Sequence, residues 1–263
     1  MPGSPRRRRL RTFAPLVALA VAVPVAGLGA GCGGSSGPTT LTVLAASSLT
    51  EVADEIATAY AQENPGVKLR FEFGASPELT DRLSDHEPGD VLVTADKAGM
   101  DEAGEYLSGP RRIVAHTSLT IAVGPGNPRR VRGLGDLERR GLRVVVGAGT
   151  VPVGRYTRQV FAKAGLSVRW SSEEISARAV LDRVRSGEAD AGVVYVTDLR
   201  SAGVAASSVP IPADVNVTAA FPAAAVRDGD HEEAAGAFVS WLVTPAAQTL
   251  FNKYGFATPP TPR

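Results

Sequence analysis

Four places where an apolar strand pattern gives way to a helix pattern carry the residues best suited to chemistry. Thr42-Val43-Leu44-Ala45-Ala46 ends on Ser47-Ser48 and leads through Leu49-Thr50 into an amphipathic segment. Gly74-Ala75-Ser76-Pro77-Glu78 reads as an N-cap serine, a proline at N1 and an acid at N2. Gly147-Ala148-Gly149-Thr150-Val151-Pro152-Val153-Gly154 is a glycine-rich turn after a strand, and Ser171-Ser172-Glu173-Glu174 opens the helix that contains Ala177. Hydroxyls and unpaired N–H groups at a helix start attract a negatively charged oxygen ligand. In an open parallel sheet such starts collect at the carboxyl ends of the strands, each presenting about half a positive charge. The same residues are also ordinary capping chemistry, so a structural role stands beside a binding role at each. The glycine-rich turn has neither the Lys-Ser/Thr of a phosphate-binding loop nor the spacing of a dinucleotide fingerprint.

Enzyme chemistry has little to build on. A serine nucleophile needs a base, and the histidines are His86, His116 and His231, the last in the acidic turn Asp228-Gly229-Asp230-His231-Glu232-Glu233 and expected at the surface. No His/Cys spacing suggests zinc. Asp90 and Asp96 flank a strand; Asp90 is expected to start it and Asp96 to cap the segment that follows. A tyrosine, Tyr195, lies near the end of the apolar run Gly192–Val196, either as a core aromatic whose hydroxyl meets a backbone carbonyl or as a ligand contact.

The elements that must position these residues alternate. Strands are expected at Leu41–Ala45, Val67–Phe73, Asp90–Thr94, Ile113–Val123, Arg143–Val146, Gly192–Val196 and Ala219–Val226. Helices are expected at Thr50–Gln62, Pro77–Ser84, Gly154–Ala164, Glu174–Arg185, Glu232–Val243 and Pro245–Tyr254. Val52, Ile56 and Tyr60 share one face of the first helix. Ile175 and Ala179 start a narrow apolar stripe on the fourth. Gly165 and Gly255 are placed to end helices. Strand–helix alternation of this kind predicts parallel sheets covered on both faces.

Residues 1–32 stand apart from this fold. Arg6, Arg7, Arg8, Arg9 and Arg11 precede an apolar stretch from Ala14 to Leu28, and small residues lead to Cys32. This is the layout of a secretory signal, shorter than the about 20 apolar residues of a membrane span. Cys32 is the only cysteine, which excludes an internal disulfide. Its setting, Ala30-Gly31-Cys32-Gly33-Gly34, resembles a bacterial lipobox, although the usual leucine three residues before the cysteine is Gly29 here and Leu28 lies one further back. Residues 33–40 read as a flexible tether. Five of the 28 Lys+Arg precede Cys32, so 23 face 27 Asp+Glu in the remainder, a net −4. Scattered Arg pairs on a mildly acidic body exclude a nucleic-acid footprint.

Six segments together carry a resemblance. They are Ala45-Ala46-Ser47-Ser48-Leu49-Thr50, Phe73-Gly74-Ala75-Ser76-Pro77-Glu78-Leu79, Asp90-Val91-Leu92-Val93-Thr94-Ala95-Asp96, Val151-Pro152-Val153-Gly154-Arg155-Tyr156, Gly187 through Tyr195, and Lys253-Tyr254-Gly255-Phe256. In order and spacing they resemble the periplasmic molybdate-binding proteins of ABC importers, from about Leu41 to Ala257. The resemblance implies a two-lobed periplasmic-binding-protein-like α/β fold, each lobe a mostly parallel sheet flanked by helices, with a hinge. One lobe is expected from 41–116 plus 218–263 and the other from 117–217. It implies an oxyanion held by the side chains of Ser48, Ser76 and Tyr195 and by backbone N–H groups at Val153 and Ala177. Molybdenum would enter only inside the oxyanion, so no side chain serves as a metal ligand and no cofactor is required. The implied partners are molybdate or tungstate and a membrane permease. The chain is expected as an exported monomer, a lipoprotein anchored through Cys32 at the outer face of the cytoplasmic membrane or a periplasmic protein. The alternatives are the same fold binding sulfate or an organic anion, and a secreted serine hydrolase using Ser48 or Ser76.

Overall fold

The computed structural model describes residues 38–227 and 229–259. The signal segment and Cys32 lie outside the described residues. The chain begins with β1 (Thr39–Ala46), buried on both faces from Leu41 onward, which is why it reads as a continuous apolar run. A short 3₁₀ turn at Ser47–Leu49 feeds α1 (Thr50–Glu63), whose Val52, Ala53, Ile56 and Tyr60 are buried. β2 (Val67–Gly74), α2 (Ser76–Ser84), β3 (Val91–Val93) and α3 (Lys97–Glu102) follow. β1 pairs in parallel with both β2 and β3.

β4 (Leu107–Val123) joins the two halves of the molecule. Leu107–Ser118 pairs antiparallel with β9 (Thr218–Val226), and β9 pairs antiparallel with β3. From Leu119 to Val123, β4 instead pairs with β7 (Ala191–Tyr195), and from Thr120 also with β8 (Ser207–Pro210), both antiparallel. β5 (Val144–Gly147) then pairs in parallel with β7 and with β6 (Ser172–Glu174). Where β4 changes partners, the Asn216 side chain accepts from the Leu119 N–H at 3.2 Å and donates to its carbonyl at 2.8 Å. This clamp ties the outgoing and returning connections together. The result is a two-lobed mixed α/β fold. The parallel strands fill the outer part of each lobe, and the antiparallel β4, β8 and β9 lie where the lobes meet.

The remaining helices are α4 (Pro152–Ala164), α5 (Ala177–Arg185), α6 (Val196–Ala202), α7 (Glu232–Trp241) and α8 (Pro245–Lys253). Gly165 (φ 65°) follows α4 and Gly255 (φ 89°) follows α8, both in the left-handed region that favours glycine.

Three expectations need correction. The helix expected from Glu174 begins at Ala177, because Ser172–Glu174 pairs as an edge strand with β5. Ile175 therefore lies outside that helix and is 67% exposed, and the buried stripe is Ala177, Val180, Leu181 and Val184. β4 begins six residues before Ile113; a register shift after Ser108, where Gly109 has φ 64°, lets the ladder continue through Pro110.

Candidate functional site

The carboxyl ends of β1, β2 and β3 in one lobe face the starts of α4 and α5 and the end of β7 in the other. Between them lies a cavity bordered by Ser48, Ser76, Val153, Ala177 and Tyr195. It leaves about 20 Å³ for the centre of a water-sized sphere, room for one small compact group.

Each donor is set by its own local structure. Ser48 sits in the turn between β1 and α1 and is 9% exposed, while Ser47 before it accepts at its carbonyl from the Thr50 hydroxyl at 2.7 Å. Ser76 is not the N-cap that the sequence predicts. Ala75 occupies the cap with extended backbone (φ −70°, ψ 142°), which moves Ser76 to N1, Pro77 to N2 and Glu78 to N3. The Glu78 carboxylate accepts the Ala75 N–H at 3.3 Å. The Ser76 oxygen is thereby free to accept the buried N–H of Ala95 at 3.2 Å. With that lone pair taken, its single proton is left to donate elsewhere.

Val153 is the second residue of α4, after Pro152, which has no N–H to offer. This turn is held unusually close to the end of β5. A Cβ on Gly154 would lie 1.9 Å from the Ala148 carbonyl oxygen, and one on Gly147 would lie 2.5 Å from Val153 Cγ1. The glycines are therefore explained by close backbone approach. Ala177 is the first residue of α5, and Ser176 caps that helix by accepting the Ala179 N–H at 3.1 Å. The cap engages the third donor of the turn and leaves the earlier ones uncapped.

Tyr195 closes the cavity from below. Its ring is 1% exposed and packs edge-to-face against Phe221, centroids 5.7 Å apart, and Tyr156 at 6.5 Å. Its hydroxyl is buried with no hydrogen-bond partner among the described residues, so the backbone carbonyl contact expected for a core tyrosine is not made. Burial pushes the phenol well above its ordinary range, which keeps it a proton donor.

Charged groups flank the cavity without lining it. Arg155, two residues beyond Val153, reaches across the lobes from Nε to Asp96 Oδ2 at 2.6 Å. Asp96 caps α3, as its place in the sequence predicts, accepting the Gly99 N–H at 2.9 Å. Sequence reasoning missed Asp198, whose carboxylate accepts the Tyr195 N–H at 3.2 Å at the start of α6. Burial pushes its carboxyl up to about 6, opposed by hydrogen bonding from the Ser48 side chain and from the Tyr195 N–H. The signal was present: an acid three residues after a strand end is a helix-start pattern.

None of the three histidines borders the cavity. His231 is not simply at the surface as expected; its Nδ1 lies 3.2 Å from Asp90 Oδ1, and the other oxygen of Asp90 accepts the Thr42 N–H at 2.7 Å. No metal-binding cluster occurs among the described residues.

A family model for bacterial extracellular solute-binding proteins matches residues 41–257. The chain belongs to that family. It is thus an extracellular solute-binding protein, not an enzyme. The molybdate-binding protein ModA of Mycobacterium tuberculosis (strain ATCC 25618 / H37Rv) is 34% identical to it over 253 residues, covering 92% of this chain and 97% of the relative. The periplasmic molybdate-binding protein of Azotobacter vinelandii superposes with a TM-score of 0.71 at 21% identity, covering 84% of this chain and all of that one. The sulfate-binding protein SubI of Mycobacterium tuberculosis H37Rv superposes with a TM-score of 0.73 at 20% identity, over 83% and 86% of the two chains. At these identities the two structures speak for the fold of this solute-binding protein alone.

Proposed function

We propose that this solute-binding protein captures molybdate, and tungstate in its place, between its lobes and delivers it to an ABC permease. One observation carries the reading: Ser48, Ser76, Tyr195 and the helix starts at Val153 and Ala177 surround a single small cavity, and the Tyr195 hydroxyl there has no partner among the described residues. A fully deprotonated tetrahedral oxyanion has only acceptors, and donors converging from five directions can satisfy all its oxygens. A protonated phosphate brings a donor of its own, and leaving such a group unpaired costs about 1–3 kcal/mol. Binding through neutral donors also avoids the cost of desolvating a cationic side chain. The identity shared with the molybdate-binding relative favours molybdate over sulfate, whereas the superposition on a sulfate-binding protein keeps sulfate as the second reading.

The lobes are taken as residues 41–116 with 218–263, and 117–217. The switch of partners along β4 and the Asn216 clamp support a hinge there. The protein is proposed to act as a monomer, without a cofactor, anchored by a lipid on Cys32; replacing Cys32 with serine should release it from the membrane fraction. The central experiment is calorimetric titration with molybdate, tungstate, sulfate and phosphate. Heat and saturation with molybdate and tungstate are expected. Tight binding of sulfate or phosphate with none of molybdate would sink the assignment, and labelling of Ser48 or Ser76 by a serine-reactive probe would favour a hydrolase.

A further inference from the structure

We propose that Arg158 is a positioning residue for the anion site: its guanidinium fixes the glycine-rich turn 147–154, so that the Val153 N–H meets the anion in a set direction. The inference rests on the oxyanion reading of the cavity. Val153 belongs to the first turn of α4, where N–H groups have no partner within the helix, and Pro152 before it has none to give. Such a donor is only as well aimed as the turn that carries it. Glycines at 147, 149 and 154 make this turn intrinsically loose. Its first half is tied by the Ala148 N–H to the Glu174 carbonyl at 2.9 Å and by the Val151 N–H to the Ala148 carbonyl at 3.1 Å. Arg155 donates back to the Thr150 carbonyl.

Arg158 joins the two ends of the turn. One terminal nitrogen, Nη1, donates to the Gly147 carbonyl at 2.9 Å and to the Gly154 carbonyl at 3.0 Å. The other, Nη2, donates at 2.7 Å to Oε1 of Glu173 on β6. Glu173 also accepts the Trp170 indole N–H at 2.9 Å, and the guanidinium lies over that ring, 5.1 Å from its centroid. A guanidinium is planar, so anchoring one of its nitrogens on Glu173 aims the other. Arg158 is thereby held from the β6 side and holds the end of β5 against the first turn of α4.

Direct attraction of the anion is a small part of this effect. Arg158 does not border the cavity, and Glu173 beside it compensates its charge. Lysine would carry the same charge as a point on a flexible stem, without the rigid fork that spans the two carbonyls and Glu173. Charge and geometry can therefore be separated by substitution.

The test is calorimetric titration of the full protein with sodium molybdate, well below the melting temperature, beside thermal unfolding without anion and the amide NMR spectrum of the free protein. Arg158→Gln removes the charge and the fork, and Arg158→Lys removes the fork alone. Both are expected to raise the molybdate dissociation constant about 5- to 50-fold, the partial loss of a hydrogen bond to a charged acceptor. Both should also displace the Val153 amide resonance. Arg183→Gln is the control, because Arg183 pairs with Glu174 at 2.9 Å in the same lobe; it should bind as wild type. Wild-type affinity in Arg158→Lys would overturn the proposal by leaving only the charge to matter, and it decides the question even if Arg158→Gln fails to fold. A lowered melting temperature with unchanged dissociation constants would overturn it too, reducing Arg158 to a strut between α4 and β6. Equal weakening in Arg183→Gln would assign the effect to the charge of the lobe and overturn the role of the turn. Absence of molybdate binding by wild type would instead overturn the oxyanion reading beneath it.

Discussion

Replacing Ser76 with alanine separates two jobs that one oxygen performs. The Ser76 oxygen accepts the N–H of Ala95 at 3.2 Å, and the two residues are 2% and 5% exposed. Alanine leaves that N–H buried without a partner, a loss of about 1–3 kcal/mol in stability. At about 3 °C per kcal/mol for a protein of this size, the ligand-free melting temperature should fall by roughly 3–9 °C. The helix cap plays no part in this loss, because Ala75 holds that position. The hydroxyl proton is lost as well. A hydrogen bond to a charged acceptor contributes about 1.5–3 kcal/mol, so the molybdate dissociation constant should rise roughly 10- to 150-fold. Thermal unfolding without anion reads the first effect and calorimetric titration reads the second. Ser47→Ala is the control: Ser47 also borders the cavity, but its hydroxyl makes no hydrogen bond among the described residues, and both readouts should stay within about 0.5 kcal/mol of wild type. An unchanged dissociation constant with a lowered melting temperature would reduce Ser76 to a strut between α2 and the end of β3. No change in either readout would refute both parts of the reasoning.

Tyr195→Phe should behave oppositely in the free protein. It removes a buried hydroxyl with no partner among the described residues, so the melting temperature should hold or rise, while molybdate affinity falls about tenfold or more. A lower melting temperature with unchanged affinity would show that the hydroxyl is engaged within the protein. Gly154→Ala would ordinarily favour a helix, but the added carbon would lie 1.9 Å from the Ala148 oxygen. A destabilisation of about 1–3 kcal/mol and weakened molybdate binding are expected, and wild-type affinity would show that the first turn of α4 does not contact the anion. Asp198 also links pH to stability. Its folded-state value of about 6 lies above the ordinary carboxyl value of 3.8, so the folded protein holds the proton more tightly and stability from this group is lost as pH rises through that window. The free-energy difference between wild type and Asp198→Asn, from denaturant unfolding, should therefore shift toward the variant by about 3 kcal/mol at most between pH 4 and 7. A pH-independent difference would show that Asp198 titrates normally.

Long elements are legible in the sequence because their signals are local and repeated. β1 is recognisable from its unbroken apolar run, α1 from Val52, Ile56 and Tyr60 on one face, and the ends of α4 and α8 from Gly165 and Gly255. Short elements are not. α3, α6 and β8, of six, seven and four residues, contain too few turns or alternations to stand out. The edge strand β6 has the local pattern of a helix start, and Ser172–Glu174 becomes a strand only through its ladder with β5. The choice between Ala75 and Ser76 as the cap of α2 is likewise invisible locally, since serine is the better intrinsic cap. What moves it is an N–H nineteen residues away, which occupies the serine oxygen.

The sequence by itself determined the kinds of group available to the site. It supplies serines, a tyrosine and helix starts at strand ends, and its ordered motifs are enough to suggest the family. Such features are written in residue type and short spacing, which local chemistry can read. Only the tertiary structure decided that these groups face one cavity, that the Tyr195 hydroxyl goes without a partner among the described residues there, and that the Ser76 oxygen meets the N–H of Ala95. Those relations depend on how β4 crosses between the lobes and how the lobes meet. They are set by long-range packing and desolvation, which no short stretch of sequence contains.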